Sequence, residues 1–173
     1  MELGDFAKLR RINRVIDDHR VIRKHVKLVG DSVPDKEALN KLRTTRTDWA
    51  PGQVDILAEK LEKLQQTLSF LDEGLKNHFA FEGENLPPLC GDLLMRAILL
   101  EHEEIEKKIA EARSMVANFT LEGLNEEELA SRGSQVQKMI GSLLNLVEEH
   151  ATKEETVLKM MQRVLEEKAE KKH

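Results

Sequence analysis

A line of leucines that ends in charge constrains this chain most. Leu57, Leu61, Leu64, Leu68, Leu71 and Leu75 recur at alternating steps of four and three residues, and His78 and Glu82 continue the line without a break. Steps of three and four mark the inward stripe of an amphipathic helix. An imidazole and a carboxylate thus occupy positions that belong in a core. Burying them is costly unless they pair, accept and donate hydrogen bonds, or hold a metal. Any fold for this chain has to supply partners for the stretch HFAFE.

The same period recurs in three other stretches. Residues 5–29 carry Leu9, Ile12, Ile16, His19, Ile22, Val26 and Val29 on one line, with Gly30 as the expected stop. Residues 53–85 hold the leucine line, with Pro51 near the start and Gly83 and Pro87-Pro88 expected to end or bend the helix. Residues 89–118 carry Leu94, Ile98, His102, Ile105, Ile109, Ala112 and Val116. After the loop Thr120–Leu124, Asn125 is placed to cap a fourth helix, with Glu128 in the capping-box position. That helix runs to about Glu170 along Val136, Ile140, Leu143, Val147, His150, Glu154, Val157 and Met161. The charged tail 168–173 is expected to fray.

Between the first two helices lies a connection over residues 31–52, with Pro34 and Pro51 and a short helical pattern around Lys36 to Leu42. Leu39, Leu42 and Trp49 are candidates to cover one end of the domain. The length is unusual for a bundle loop and points to a structure or role of its own. Tyrosine is absent, Trp49 is the single tryptophan, and Leu, Glu and Lys abound, a composition that favours helices over sheets. The expectation is an all-α fold: one domain over residues 1–173, an antiparallel up-down-up-down four-helix bundle with a long connection between helices 1 and 2.

Composition excludes several functions. A net charge of −5 gives no support to nucleic-acid binding. The first helix is locally basic (Lys8, Arg10, Arg11, Arg14, Arg20, Arg23, Lys24, Lys27), which reads as a solvated face balanced by acidic neighbours, with a partner-binding face as the alternative. The lone Cys90 allows no internal disulfide, fits a reducing compartment, and reads as a quiet small residue rather than a reactive thiol. No apolar run approaches the ~18 residues of a membrane helix. The start MELGDFAKLRRINR lacks the apolar core of a signal peptide. A soluble, cytoplasmic protein is expected.

Six polar residues lie on the four inward lines: His19, His78, Glu82, His102, His150 and Glu154. Positions i and i+4 of a helix point about 40° apart, so each HxxxE aims an imidazole and a carboxylate into one space. The chain has a weak internal symmetry, since each half gives one seam histidine on its first helix and HxxxE on its second. A single zinc needs only four ligands, so four histidines and two carboxylates are better explained by two ions sharing them. A ferritin-type site would show ExxH on two helices, but the residues three before these histidines are Ile16, Leu75, Leu99 and Val147.

The order of a lone histidine in DDHRVI, then HFAFE, then LLEHEEI, then HATKEE resembles the hemerythrin-like, or HHE cation-binding, domain family. The resemblance spans roughly residues 5–165. It implies a non-haem di-iron centre that binds or responds to O2. By that resemblance, Glu82 and Glu154 would bridge the irons, His19 and His78 would serve one, and His102 and His150 the other. The oxygen carriers of the family place the second bridging acid five residues after the histidine, which makes Glu155 the alternative to Glu154. They also carry a fifth histidine where this chain has Glu106. That departure puts reversible O2 carriage in doubt, and Glu106 is either a replacement ligand or a surface glutamate. Zinc or manganese are the other metals such a ligand set could take.

His25 points about 120° from His19 around the helix and is expected at the surface, as are Glu103, Glu104 and Glu149. His173 is terminal. Phe79 and Phe81 read equally as pocket walls and as core; Met139, Met160 and Met161 read as core filling. The expected function is metal binding with a small partner: O2, NO, peroxide or iron itself. The alternatives are a di-iron oxidase, peroxidase or NO-reducing enzyme that needs a reductase partner, and an interaction bundle with zinc or no metal. A homodimer and a redox or signalling protein partner are compatible with the sequence.

Overall fold

The computed structural model describes residues 3–34, 52–121 and 123–170. Those residues form four helices and no strand: α1 (Leu3–Ser32), α2 (Gly52–Asn85), α3 (Pro87–Ala117) and α4 (Glu126–Glu170). The helices pack as a bundle in which α1 contacts α2 and α4, and α3 contacts α2 and α4. No helix among the described residues is long and apolar enough to cross a membrane. Most of the 31–52 connection, with Leu39, Leu42 and Trp49, lies outside the described residues, as does His173.

The leucine line behaves as its spacing demands. Leu57, Leu61, Leu64, Leu68, Leu71 and Leu75 are all buried, and each such side chain contributes about 1.5–3 kcal/mol on leaving water. They join Ile22 and Val29 of α1, Ile105, Ile109, Ala112 and Val116 of α3, and Val136, Ile140, Leu143 and Val147 of α4 in the larger apolar cluster. A smaller cluster gathers Ile12, Val15, Leu86, Met95, Ile98, Leu158 and Leu165. The lines drift where this second cluster forms. Val15, Met95 and Leu158 are buried there, while Ile16, Leu94 and Val157 on the expected lines are only half-buried. A seam stepping by 3.5 residues slips about 20° per heptad against a straight helix, so the buried register moves by one residue over a long element.

The end of α1 and the start of α3 differ from expectation, while α2 ends at Asn85 as expected. Gly30 does not stop α1, which continues to Ser32. Val29 and Ser32 are buried there, and the Ser32 hydroxyl donates to the Leu28 carbonyl at 2.6 Å. Gly83 lies within α2, which runs on to Asn85, and the Leu86 N–H still reaches the Glu82 carbonyl at 2.9 Å. Pro87 and Pro88 open α3 instead of trailing α2, as suits residues without an N–H to offer. A break follows at Gly91, whose φ of 69° and ψ of 168° lie outside the helical region. At α4 the capping box forms as the sequence indicates: Glu128 N–H donates to Asn125 Oδ1 at 2.9 Å and Asn125 N–H to Glu128 Oε2 at 3.0 Å. The α4 helix includes Lys168 and ends at Glu170; residues 171–173 lie outside the described residues.

Candidate metal centre

Between the two apolar clusters lies a polar layer. α1 supplies His19, α2 His78 and Glu82, α3 His102, and α4 His150 and Glu154, each at 4% exposure or less. The helical period alone places them there, because each occupies a slot that would otherwise hold a leucine or valine. Five of the inward contacts bring imidazole Nε2 atoms to carboxylates. Glu82 Oε1 lies 2.6 Å from His78 Nε2, and its Oε2 lies 3.1 Å from His102 Nε2. The same carboxylate is 3.9 Å from His19 Nε2. Glu154 Oε2 lies 3.3 Å from His19 Nε2 and 3.6 Å from His150 Nε2. Each carboxylate thus faces histidines of both halves of the chain.

Ligand atoms converge in two overlapping groups. His19, His78, Glu82 and Glu154 form one; Glu82, His102 and His150 form the other, and Glu82 belongs to both. The decisive feature is what these atoms lack. Among buried side-chain nitrogens and oxygens of the described residues, those without a properly directed hydrogen bond belong to these six residues, with His25 Nδ1 as the one exception. The other buried polar side chains are satisfied. Thr67 donates to the Leu64 carbonyl, Ser32 to that of Leu28, and Asp72 receives Lys76 and Arg113. Buried polar groups are rarely left without partners. A layer of convergent, orphaned imidazole and carboxylate atoms therefore fits a bound cation, and the donor set suits iron, zinc or manganese.

The outward ring nitrogens meet a second ring of acids. His150 Nδ1 lies 2.9 Å from Glu101 Oε2, His19 Nδ1 3.3 Å from Glu155 Oε1, and His78 Nδ1 3.6 Å from Asp18 Oδ2. Glu101 is tied by Lys153 at 3.0 Å. Glu155 is tied by Arg23, which also reaches Glu148, and by Lys159. His102 has a different neighbour: the ring of Phe79 stacks on it at 3.7 Å between centroids and 10° between planes. Phe81 stands apart from this stack, half-buried beside the smaller cluster under the guanidinium of Arg14.

Electrostatics divides the two central carboxylates. Burial alone would raise Glu82, but contacts from His102 and His78 reverse this and hold it well below the ordinary carboxylate range. Burial raises Glu154, and the nearby charge of Glu82 adds to the shift against the pull of His19. For His78, burial opposes the charged form, yet Glu82 outweighs it and the pKa rises. Burial lowers His150 despite Glu101. Burial would raise Glu155, but Lys159 and Arg23 bring it down to about 2. The two buried acids, which share His19, are thus pushed in opposite directions, as happens where like charges crowd one site.

The sequence-derived candidates fall as follows. All six seam residues meet in the layer. Glu155 lies outside it, against the back of His19, and Glu106 is exposed and in neither group. Glu103, Glu104 and Glu149 are exposed. His25 is half-buried, not at the surface, because Gly74 leaves room for its ring: a Cβ there would stand 3.1 Å from His25 Nδ1. Met139 and Met161 pack against the two clusters, whereas Met160 is exposed. Cys90 is half-buried and its thiol is pushed up to about 11, first by burial and then by Glu154 and Glu82, which fits an unreactive role. Arg14, Arg20 and Arg23 of the basic first helix are paired with Asp18, Asp17 and the acids of α4.

Comparison with known proteins agrees with this geometry. A family model described as the hemerythrin HHE cation-binding domain matches residues 10–162. Neither a curated protein nor a solved structure matches the chain.

Proposed function

The chain belongs to the hemerythrin HHE cation-binding domain family, and from that membership we propose that its polar layer holds two iron ions and binds or senses a small species such as O2, NO or peroxide. The single observation that carries this reading is the set of orphaned, buried imidazole and carboxylate atoms in two groups that share Glu82. His19 and His78 would serve one ion and His102 and His150 the other, with Glu82 and Glu154 between them. Iron held there would supply reversible one-electron chemistry and open positions for a small ligand. The chain's own residues bind and orient. Glu82 stays ionised under burial because His102 and His78 face it. Phe79 closes the side of His102 and keeps water from that ring.

An antiparallel bundle belongs to the same reading. It is supported by the order in which helices meet the two clusters: α1 and α3 pass the smaller cluster before the histidines, and α2 and α4 pass it after them. The exposed position of Glu106, outside both ligand groups of the described residues, favours sensing or oxidation over stable O2 carriage. The test is the visible spectrum of anaerobically reconstituted protein on exposure to O2. An irreversible change is expected. A band that appears and vanishes on deoxygenation would establish carriage instead, and absence of any iron-dependent band would remove the iron reading.

A further inference from the structure

A neutral imidazole carries one N–H, and the hydrogen bond made by one ring nitrogen decides what the other can do. At His150 that bond is defined. Nδ1 lies 2.9 Å from Glu101 Oε2, while Glu101 Oε1 receives Lys153 Nζ at 3.0 Å. The carboxylate is therefore pinned from one side and presents its other oxygen to the ring. Nε2 of the same ring is buried, without a hydrogen-bond partner, and directed at Glu154. In its neutral form the ring has one proton to place.

The other half of the chain repeats the arrangement more loosely. Asp18 directly precedes His19 as Glu101 directly precedes His102. Asp18 Oδ2 lies 3.6 Å from Nδ1 of His78. Each half thus sets an acid one residue before its first histidine, against the outer nitrogen of the histidine in its second HxxxE helix. The acid and the histidine it faces come from neighbouring helices: α1 with α2, and α3 with α4.

We propose that Glu101 is the positioning residue of His150: it accepts the Nδ1 proton and so directs the bare Nε2 lone pair into the polar layer. Asp18 faces the outer nitrogen of His78 at 3.6 Å without a hydrogen bond, so the role is confined to Glu101. What Nε2 then binds rests on the reading of the layer as a metal centre, but the tautomer belongs to the metal-free chain. The two claims can therefore fail separately.

The tautomer is read by long-range 1H–15N correlation spectra of the metal-free full-length chain near neutral pH, with His150 assigned from the spectrum of His150→Gln. The expected result is Nδ1 protonated and Nε2 bare in the unsubstituted protein. In Glu101→Leu the proton should move to Nε2 or divide between the two nitrogens. Glu101→Gln, whose amide oxygen still accepts, should restore the original pattern. A protonated Nε2 in the unsubstituted protein overturns the proposal without any variant having to fold. So does an unchanged His150 tautomer in Glu101→Leu. Zinc titration supplies the second readout: affinity should fall about 10–100-fold in Glu101→Leu, recover in Glu101→Gln and stay unchanged in Glu103→Leu, an exposed neighbour. Equal affinity in all of them overturns the positioning role. A chain that binds no zinc at all removes the metal reading and leaves the tautomer to decide this one.

Discussion

The first histidines of the two halves, His19 and His102, are braced by different forces. Around His19 the bracing is ionic: Glu155 backs the ring, and Arg23 and Lys159 grip Glu155 from α1 and α4. Around His102 it is apolar: Phe79 lies flat on the ring, and His150 meets the edge of Phe79 at 5.8 Å. The brace of His102 comes from α2, which also gives Glu82 to both ligand groups. One helix therefore serves both halves, while His19 and His150 are each backed by an acid of a neighbouring helix, Glu155 of α4 and Glu101 of α3. Ionic braces at a partly exposed edge are weak and salt-sensitive, whereas a buried ring contributes through area and close packing.

That contrast sets an order of expected effects. The largest is at Glu82, which faces His78 and His102 at once. Glu82→Ala should remove both ions, His78→Ala should weaken the first group more than the second, and His25→Ala should leave metal content intact. Elemental analysis after dialysis reads all three, and equal loss in the three would show that the layer is misassigned. Next is Phe79→Ala, expected to destabilise the protein by about 3–5 kcal/mol, as large-to-small core changes do. Thermal or denaturant unfolding reads it, and a loss under about 1 kcal/mol would mean that the ring is no brace.

Smaller still is Arg23→Met, which cuts the ties to Glu148 and Glu155 at a side chain 32% exposed. It should cost about 1 kcal/mol or less, and less again in high salt. If it costs as much as Phe79→Ala, the contrast between His19 and His102 collapses. The smallest effect concerns Cys90. With its thiol near 11, the folded metal-free protein should react with a thiol reagent at pH 8 far more slowly than after unfolding. Equal rates would contradict the burial of that turn.

Much of this was legible in the sequence, for a definite reason. The six inward residues follow from one rule, the helical period, applied to four stretches that each carry enough leucine, isoleucine or valine to fix the phase. The Asn125–Glu128 cap was readable because both partners lie within one turn. Glu101 and Asp18 were not, since a residue one position from the seam points about 100° away from it, and its partner depends on which helix packs alongside. Room for His25 over Gly74 and the exchange of Leu94 for Met95 are likewise settled between helices. Pro87-Pro88 open α3, where sequence alone allowed them to close α2.

The central claim is that Glu82 is shared by two ions, and metal content measures it most directly. Anaerobically purified protein, reconstituted with excess iron and freed of unbound metal, should hold two iron ions per chain, and Glu82→Ala should hold none. One ion or fewer per chain in the unsubstituted protein, or two in Glu82→Ala, would contradict it.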